Sequence, residues 1–255
     1  AATALLSRAY LYLGNWTDAE TQSTNIIQNS SLFSLPTDLN SVFLSNSPEA
    51  IWQLQQSNAD FSFNATPEGN QLIPFDATTQ PYAYLTNQQL DAFETGDLRK
   101  KEWVDSTSFD GATYYYPYKY KVGPADEQPN GPYTEYYMVF RLAEQYLIRA
   151  EARAQLGTNL NGAIDDLYAI RGRTGLQPFQ ASLTQPQILS SVAHERRIEL
   201  FCEWGHRWLD LKRTGQATTV LSANKGFSIS NNALLYPIPF SEITTDPNLT
   251  QNAGY

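Results

Sequence analysis

The sequence predicts a mainly α-helical protein in which helical hairpins stack into one layer and carry a loop-rich insertion with short strands. Two stretches, 1–30 and 139–172, have apolar residues at helical spacing, interrupted by a glycine at the turn. The segment between them is rich in Pro, Asn, Ser, Thr and aromatic residues. We therefore expect a single domain of four parts, namely a helical hairpin, a variable insertion, a helical block and an irregular C-terminal segment: 1–31, 32–138, 139–215 and 216–255.

Each hairpin is predicted to turn at a glycine, Gly14 in the first and Gly157 in the second. The predicted buried stripes are Ala2, Leu5, Leu6, Ala9 and Leu13, then Ala19, Ser23, Ile26 and Ile27, then Ala143, Tyr146, Leu147, Ala150 and Ala154, then Ala163, Leu167 and Ile170. LYLGNWTDA and AQLGTNLNGA align with one extra residue in the second turn, and both resemble a tetratricopeptide-type hairpin. Because a hairpin cannot bury its own apolar face, we expect the two to share one layer. The alternative is two unrelated hairpins of an α-class protein.

The insertion is predicted to contain a strand with a tyrosine ladder. Residues 112–122 alternate, which places Tyr114, Tyr116, Tyr118 and Tyr120 on one face. Pro117 has no N–H to donate, so the strand should lie at an edge or contain a bulge. We interpret the ladder as packing, because one face of the strand must be buried.

Opposed charges are dense between His194 and Gly215, which hold five basic residues, four acidic residues and two tryptophans in 22 positions. A helix is predicted from Thr184 to about Trp204. Its acidic residues recur every fourth position, share one row and repel one another, so they need cations nearby: Glu195, Glu199 and Glu203. We expect a structural ion-pair network with basic residues close in sequence: Arg171, Arg173, Arg196, Arg197, Arg207, Lys212 and Arg213. A divalent-metal site or a hydrolytic carboxylate pair is the alternative.

The composition disfavours nucleic acid as a partner. The formal net charge is −9, and an acidic surface repels DNA, RNA and anionic lipid. Abundant amide and hydroxyl side chains suit sugars, although they equally suit an ordinary extracytoplasmic surface. Cys202 is the only cysteine, and we expect its thiol to be buried and inert. Neither a membrane-spanning run nor a signal peptide is visible, and Ala1 begins within a helical pattern. We therefore expect the C-terminal part of a longer protein.

Aromatic and amide side chains of the insertion predict a sugar-binding surface. Residues 52–138 carry 17 of the 33 aromatic side chains. Aromatic rings offer flat platforms to the C–H faces of pyranoses, and amides pair with hydroxyl groups. The candidate ligand-binding residues are Phe61, Phe63, Asn64, Gln71, Phe75, Tyr82, Tyr84 and Trp103. The alternative is that these rings form the small core of the insertion. No motif for phosphate binding, acyl transfer or zinc is present, and we expect no cofactor, metal or catalytic residue.

Several stretches occur in an order that resembles one known family. They are ALLSRAYLYLGNWTDAE (4–20), EAIWQLQ (49–55), GDLRKKEWV (96–104), FRLAEQYLIRAEARAQLG (140–157), IRGRTGL (170–176), ERRIELFCEWGHRWLDLKRTG (195–215), YPIP (236–239) and DPNLTQNAGY (246–255). This set resembles the SusD/RagB family nearly end to end, least at 56–95. Two departures are that Trp204 widens the usual Glu-Gly spacing and that Ala253 stands where a proline is expected.

The resemblance implies a surface-exposed lipoprotein of the cell outer membrane that binds nutrient glycans. It implies a tetratricopeptide-like scaffold, and a partner in a SusC-like TonB-dependent transporter. Membrane attachment would be only through an N-terminal lipid anchor, which this chain lacks. The hypothesis is thus a non-catalytic protein that binds a neutral oligo- or polysaccharide for uptake. The alternatives are a peptide-binding surface protein of the same family, a glycoside hydrolase, and a pure scaffold.

Overall fold

The computed structural model describes residues 1–57, 64–179 and 183–255, which form two compact units, 1–204 and 205–255. The helices of the first unit are α1 (Ala2–Leu13), α2 (Trp16–Ile27), α3 (Pro67–Leu72), α4 (Asn87–Leu90), α5 (Leu98–Glu102), α6 (Leu142–Leu156), α7 (Leu160–Arg171) and α8 (Gln185–Glu199). Its strands are β1 (Ala50–Leu54), β2 (Val104–Phe109), β3 (Ala112–Pro117) and β4 (Tyr137–Arg141). The single-domain expectation stays a prediction.

The two predicted hairpins form one helical layer. Helix α2 packs on α1 and on α6, and α6 packs in turn on α7 and α8. Helices α1 and α6 end at Gly14 and Gly157, whose φ angles of 70° and 71° are left-handed. Glycine adopts this conformation without a Cβ penalty, so it ends the helix and reverses the chain. The prediction of a mainly α fold with a looped-out insertion is confirmed.

Three of the four predicted stripes are the buried faces of α2, α6 and α7, with two members half-buried. The stripe predicted for α1 is wrong, because its three leucines are exposed while Ala4, Ser7 and Leu11 are buried. Small side chains let α1 lie close to α6, where Ser7 Oγ donates to Gln145 Oε1 at 2.5 Å. Close packing and one buried hydrogen bond therefore decide which face of α1 turns inward.

Two short antiparallel sheets accompany the helices. Strands β2 and β3 form a hairpin, paired from Val104–Pro117 at the open end to Phe109–Ala112 at the turn, and β1 pairs with β4. Pro117 is the last residue of β3, as expected of a residue without an N–H. The predicted alternation through Tyr120 is wrong beyond this point, because the chain leaves the hairpin and Tyr118 N donates to Trp103 O at 2.8 Å.

Helix α8 ends at Glu199, earlier than the predicted Trp204. The φ angles of Cys202 and Trp204, 55° and 44°, are incompatible with a right-handed helix. The Trp204 indole donates to Met138 O at 2.7 Å, and this bond holds the turn against β4. Glu203 therefore lies in the turn after the helix and not in its acidic row.

The predicted ion-pair network exists, but most of its cations come from other elements. Within the described residues, carboxylates of Glu195, Glu199 and Glu203 pair with five buried cations: Arg99, Lys119, Arg141, Arg171 and Arg173. Two of these were predicted. Arg197, also predicted, instead donates to Gln89 Oε1 at 3.0 Å. The network thus joins the insertion and β4 to α8.

The second unit contains α9 (His206–Arg213), α10 (Ala217–Lys225) and α11 (Phe240–Thr245). Arg213 Nε pairs with Asp210 at 2.8 Å, and the Trp208 and Tyr236 rings meet edge to face at 6.5 Å. Near its end, Tyr255 donates to Leu235 O at 2.7 Å. In the described part of the chain, none of the helices has the length and apolar character needed to cross a membrane.

Candidate functional site

The candidate site is built on the segment 73–86, which is fastened to the β2–β3 hairpin at both ends. Ala77 O accepts hydrogen bonds from Thr107 Oγ1 at 2.5 Å and from Ser108 N at 3.4 Å. Leu85 N donates to Tyr115 O at 2.7 Å. This segment has little secondary structure of its own, so these bonds to the hairpin fix its position.

Three predicted ligand-binding rings are exposed on this segment. The exposed fractions of Phe75, Tyr82 and Tyr84 are 60%, 80% and 53%. The Tyr84 ring meets that of Tyr114 edge to face at 5.0 Å, which steadies it from the hairpin side. The amide of Gln71, at the end of α3, is exposed as well. These residues are accessible to a ligand.

A local turn orders the chain between Phe75 and Tyr82. The Asp76 carboxylate accepts from Thr78 N and Thr78 Oγ1, both at 2.8 Å, and from Thr79 Oγ1 at 2.9 Å. These hydrogen bonds, that from Thr78 N first, lower the pKa of Asp76. Such side-chain-to-backbone turns restrict the chain without a helix or strand. Phe75 is therefore presented from an ordered turn.

The prediction that Trp103 binds ligand is wrong, because its exposed fraction is 0%. Its indole donates to Leu39 O at 3.1 Å, and its ring packs edge to face on Phe43 at 5.7 Å. Lys119 Nζ lies over the ring, 4.7 Å from its centroid. Trp103 is therefore a core residue of the insertion, in the same buried cluster as Ile198 of α8.

Asn64 is also placed away from ligand. The residue is buried, and its Oδ1 accepts from Gln128 N at 2.8 Å, so it joins two loops. The prediction that Asn64 binds ligand is therefore wrong, because the residue is buried, as Trp103 is. Phe61 and Phe63 lie outside the described residues.

Sequence reasoning missed Tyr115. It was passed over when the neighbouring tyrosines were interpreted as packing, yet its ring is exposed. In a strand, Tyr115 faces away from Tyr114 and Tyr116, and Tyr116 is buried. The alternation that indicated a buried ladder therefore also contained the signal for an exposed ring between its members.

Two basic residues tie the base of the insertion to α8 and the turn after it. Arg99 Nη1 bonds Glu195 and, at 2.8 Å, Glu199 Oε2. Lys119 Nζ bonds Glu203 Oε1 at 2.5 Å and Glu199 O at 2.8 Å. All of these side chains are buried. The exposed rings thus project from a base that charged hydrogen bonds hold to the scaffold.

Two carboxylates of the network, those of Glu199 and Glu203, are held ionised. Burial alone would raise the pKa of Glu203, but Arg141 and Lys119 outweigh it and lower this pKa to about 2. Burial opposes ionisation of Glu199 as well, and Arg173 and Arg141 still hold its pKa far below the ordinary range. Neither carboxylate can therefore serve as a general acid near neutral pH.

A small cavity beside α3 is lined by a carboxyl group whose pKa is raised, unlike the lowered pKa values of Glu199 and Glu203. Glu68, Lys119, Cys202 and Glu203 are among its lining residues, and it has room for about one water molecule. Burial raises the pKa of Glu68 to about 7, against a hydrogen bond from Tyr137. Burial also raises the pKa of the Cys202 thiol to about 11, although the residue as a whole is exposed. A protonated acid beside an ionised one is the pattern of a glycosidase, but this space excludes a sugar ring.

The residues that the structure describes contain no group of three or more His, Cys, Asp or Glu side chains placed to hold a metal ion.

Stacked helical hairpins that carry an aromatic, loop-rich insertion place this chain in the class of helical scaffold proteins. Residues 95–255 match the model of the SusD family. The chain therefore belongs to the SusD family. This confirms the resemblance found in the sequence motifs.

Known proteins similar to this chain include sugar-binding members of that family. The chain is 35% identical over 124 residues to the starch-binding protein SusD of Bacteroides thetaiotaomicron, covering 46% of this chain and 21% of that protein. It is 31% identical over 147 residues to the SusD-like protein P38 of Formosa agariphila, covering 54% of this chain and 27% of that protein.

Two solved structures are similar to this chain over its whole length. A SusD superfamily protein of Bacteroides vulgatus has a TM-score of 0.79 and 25% identity, covering 100% of this chain and 62% of that one. A laminarin-binding SusD-like protein has a TM-score of 0.76 and 25% identity, with the same coverage. The chain thus spans less than two thirds of the length of these relatives.

Proposed function

We propose that this chain belongs to a non-catalytic surface protein that binds a neutral glycan and delivers it to a TonB-dependent transporter of the outer membrane. One observation carries the proposal: Phe75, Tyr82 and Tyr84 expose their rings on one fastened segment of a SusD-family chain. Related proteins are named for binding starch and laminarin, which supports a glucan-like ligand. The outer-membrane location and the SusC-like partner follow from the family and are part of the proposal.

Stacking on exposed rings sets the expected affinity. Each ring is expected to contribute about 1–3 kcal/mol, by analogy with the stacking of nucleic-acid bases on aromatic side chains. Gln71 can pair its amide with hydroxyl groups and so orient the sugar. Two or three such platforms, less the cost of ordering the ligand, correspond to a dissociation constant of roughly micromolar to millimolar.

The absence of catalysis is supported by what the carboxylates do. Glu199 and Glu203 are bound by buried arginine and lysine side chains. Glu68, the carboxyl whose pKa is raised to about 7, faces a cavity with room for about one water molecule. A hydrolase needs two carboxyl groups on either side of a bound glycosidic bond, and the cavity between Glu68 and Glu203 does not offer that space.

Calorimetry with maltoheptaose and laminarihexaose tests the proposal. We expect saturable heat with at least one of them, and a loss of affinity of about fivefold or more in each of Phe75→Ala, Tyr82→Ala and Tyr84→Ala. Tyr168→Ala removes an exposed tyrosine from α7 and is the matched control, with affinity unchanged. If all three variants keep the wild-type affinity and stoichiometry, the choice of site is defeated.

Chromatography of the same sugars after long incubation addresses catalysis. Unchanged oligosaccharides are expected, and the appearance of shorter products would instead make the protein a hydrolase. Copurification of a TonB-dependent transporter with the tagged protein from outer membranes tests delivery, and its reproducible absence would contradict that part of the proposal.

A further inference from the structure

A second surface, outside the aromatic segment 73–86, has the shape of a ligand groove. It follows β1, encloses about 500 Å3 and is open to solvent. This volume lies within the range of roughly 300–1,000 Å3 that is common for ligand sites. Its lining residues are Asn46, Ser47, Ala50, Ile51, Trp52, Gln53, Gln55 and Tyr136. None of these side chains is charged, so the groove suits an uncharged ligand.

Trp52 offers a flat ring at this groove. Its exposed fraction is 45%, and the buried Phe140 supports it at a centroid distance of 5.9 Å and an interplanar angle of 30°. The Arg8 guanidinium lies 4.4 Å from the centroid of Phe140 and packs on that ring in turn. The indole is thus held from the interior, and its remaining surface faces solvent.

An irregular strand register brings Trp52 and Gln53 to the same groove. Trp52 pairs with Phe140, whereas the next residue, Gln53, pairs with Met138, so the register shifts between them. A β-bulge of this kind interrupts the alternation of side chains and redirects one of them. Neighbouring residues that would face opposite sides of a regular strand therefore line one surface.

The turn beside the strand is fixed by the same glutamine. Gln53 Oε1 accepts from Asn46 N at 3.0 Å, and its Nε2 donates to Leu44 O at 2.9 Å. Ser45 N donates to Thr134 O at 2.8 Å, which joins the turn to the segment before β4. The wall of the groove is therefore ordered before any ligand arrives, which lowers the entropic cost of binding.

Three neutral polar groups are available at this wall. Within the described part of the chain, the side-chain amides of Asn46 and Gln55 and the hydroxyl of Tyr136 have no hydrogen-bond partner. Amides and hydroxyls both donate and accept, as sugar hydroxyl groups do. An exposed indole beside such groups matches a pyranose ring, which has an apolar face and a polar rim.

We infer that the Trp52 groove is a second binding site for an uncharged oligosaccharide. A sugar ring stacks on Trp52, and its hydroxyl groups bond Asn46, Gln55 and Tyr136. The class of ligand in this inference rests on the proposed function, whereas the position of the site rests on the geometry of the groove. Two sites on one protein bind a long polysaccharide more tightly than either binds a short fragment, provided that one chain can span both.

Fluorine NMR of protein labelled with 5-fluorotryptophan tests this site directly. The chain has five tryptophans, so single Trp→Phe substitutions assign the five resonances. With maltoheptaose or laminarihexaose, we expect a saturable shift of the Trp52 resonance and none of the Trp103 resonance, because Trp103 is buried. Asn46→Gly keeps a residue that tolerates the φ of 58° while removing the amide. Asn46→Gly and Tyr136→Phe should each weaken binding at Trp52 about fivefold, the effect of one lost hydrogen bond, without changing the melting temperature.

The outcomes separate this site from the first one. A Trp52 shift that persists in the triple variant Phe75→Ala, Tyr82→Ala, Tyr84→Ala supports an independent groove, whether or not the first site binds. A Trp52 resonance that neither oligosaccharide moves overturns the inference, while calorimetric binding lost in the triple variant leaves the proposed function intact. The inference is also overturned if both Asn46→Gly and Tyr136→Phe bind as tightly as wild type. An uncharged Gly-Ser-Asn-Gly peptide that shifts Trp52 as strongly as the sugars overturns the class of ligand.

Discussion

Arg141 and Glu199 form a buried ion pair, with Nη1 and Oε1 2.6 Å apart, between the last residue of β4 and the last residue of α8. The same guanidinium bonds Glu49 at 2.8 Å and Glu203 at 2.9 Å. A single cation thus holds three carboxylates, of which Glu49 lies far in sequence from Glu199 and Glu203. Arginine suits this position because its planar group donates in several directions at once.

Removal of this cation should destabilise the protein severely. Arg141→Met removes one cation from each of three buried carboxylates, and breaking a buried pair in this way costs about 3–5 kcal/mol. Urea denaturation followed by circular dichroism measures the change in the free energy of unfolding. Lys101→Met is the matched control, because the Lys101 side chain is 77% exposed, and pairs of that kind contribute at most about 1 kcal/mol. Equal effects of the two substitutions would contradict a structural role for the network.

Acid should weaken the protein through Glu203. The folded state lowers the pKa of this carboxyl from 4.5 to about 2, because Arg141 and Lys119 outweigh its burial. Its contribution is therefore complete above pH 4.5 and is lost as the pH falls toward 2. Glu203→Gln should lower the free energy of unfolding at pH 7. Between pH 4.5 and about 2, the free energy of unfolding of the variant should decline less steeply than that of the wild type, by the slope that about one bound proton produces. Parallel pH profiles of the variant and the wild type would rule this out.

Titration of Glu68 should destabilise the folded protein as the pH rises, the opposite of the effect of Glu203. Burial raises its pKa from 4.5 to about 7, so the folded state keeps a proton that the unfolded state has lost. Stability should fall as the pH rises from 4.5 to 7 and then level off. Glu68→Gln should therefore stabilise the protein at pH 8 by as much as about 3 kcal/mol and change little at pH 4. Thermal denaturation across this range measures it, with the exposed Glu242→Gln as control. A stabilisation equal at both pH values would contradict titration of Glu68.

The sequence predicted the helical layer well because its signals are local. Gly14 and Gly157 punctuate the two hairpins, and three apolar stripes at helical spacing face the core. The fourth stripe failed because alanine and serine can form a buried face as well as leucine can, when helices lie close together. Apolar spacing does not distinguish these two cases in α1.

The ion-pair network was predicted in kind but not in membership. The acidic row on α8 is a local pattern and can be read from the sequence. Its partners Arg99, Lys119 and Arg141 come from elements that only the tertiary fold brings to it. Sequence proximity suggested Arg197, which instead contacts Gln89.

The same limit explains Trp103, which was chosen because it lies among other rings. Substitution should show that it supports the fold rather than the ligand. Trp103→Ala removes a buried ring and its bond to Leu39 O, which should cost about 3–5 kcal/mol. Trp103→Phe keeps much of the ring and should cost less, while glucan affinity of the folded fraction stays at the wild-type level. Chemical denaturation and calorimetry measure the two quantities. A loss of affinity in folded Trp103→Phe similar to that of Tyr82→Ala would restore Trp103 to the site.

Salt should leave glycan binding unchanged. The exposed rings of Phe75, Tyr82 and Tyr84 carry no charge, so stacking on a neutral sugar involves no ion pair. The nearest charge in sequence is Asp76, whose lowered pKa keeps it ionised at neutral pH. A charged peptide would sense that carboxylate, and screening would change its affinity. Between about 0.05 and 0.5 M salt the Debye length falls from about 14 to about 4 Å, and we expect the dissociation constant for the better glucan to change less than twofold. A steep salt dependence in calorimetry would favour the peptide-binding alternative instead, because a neutral sugar has no ionic contact to lose.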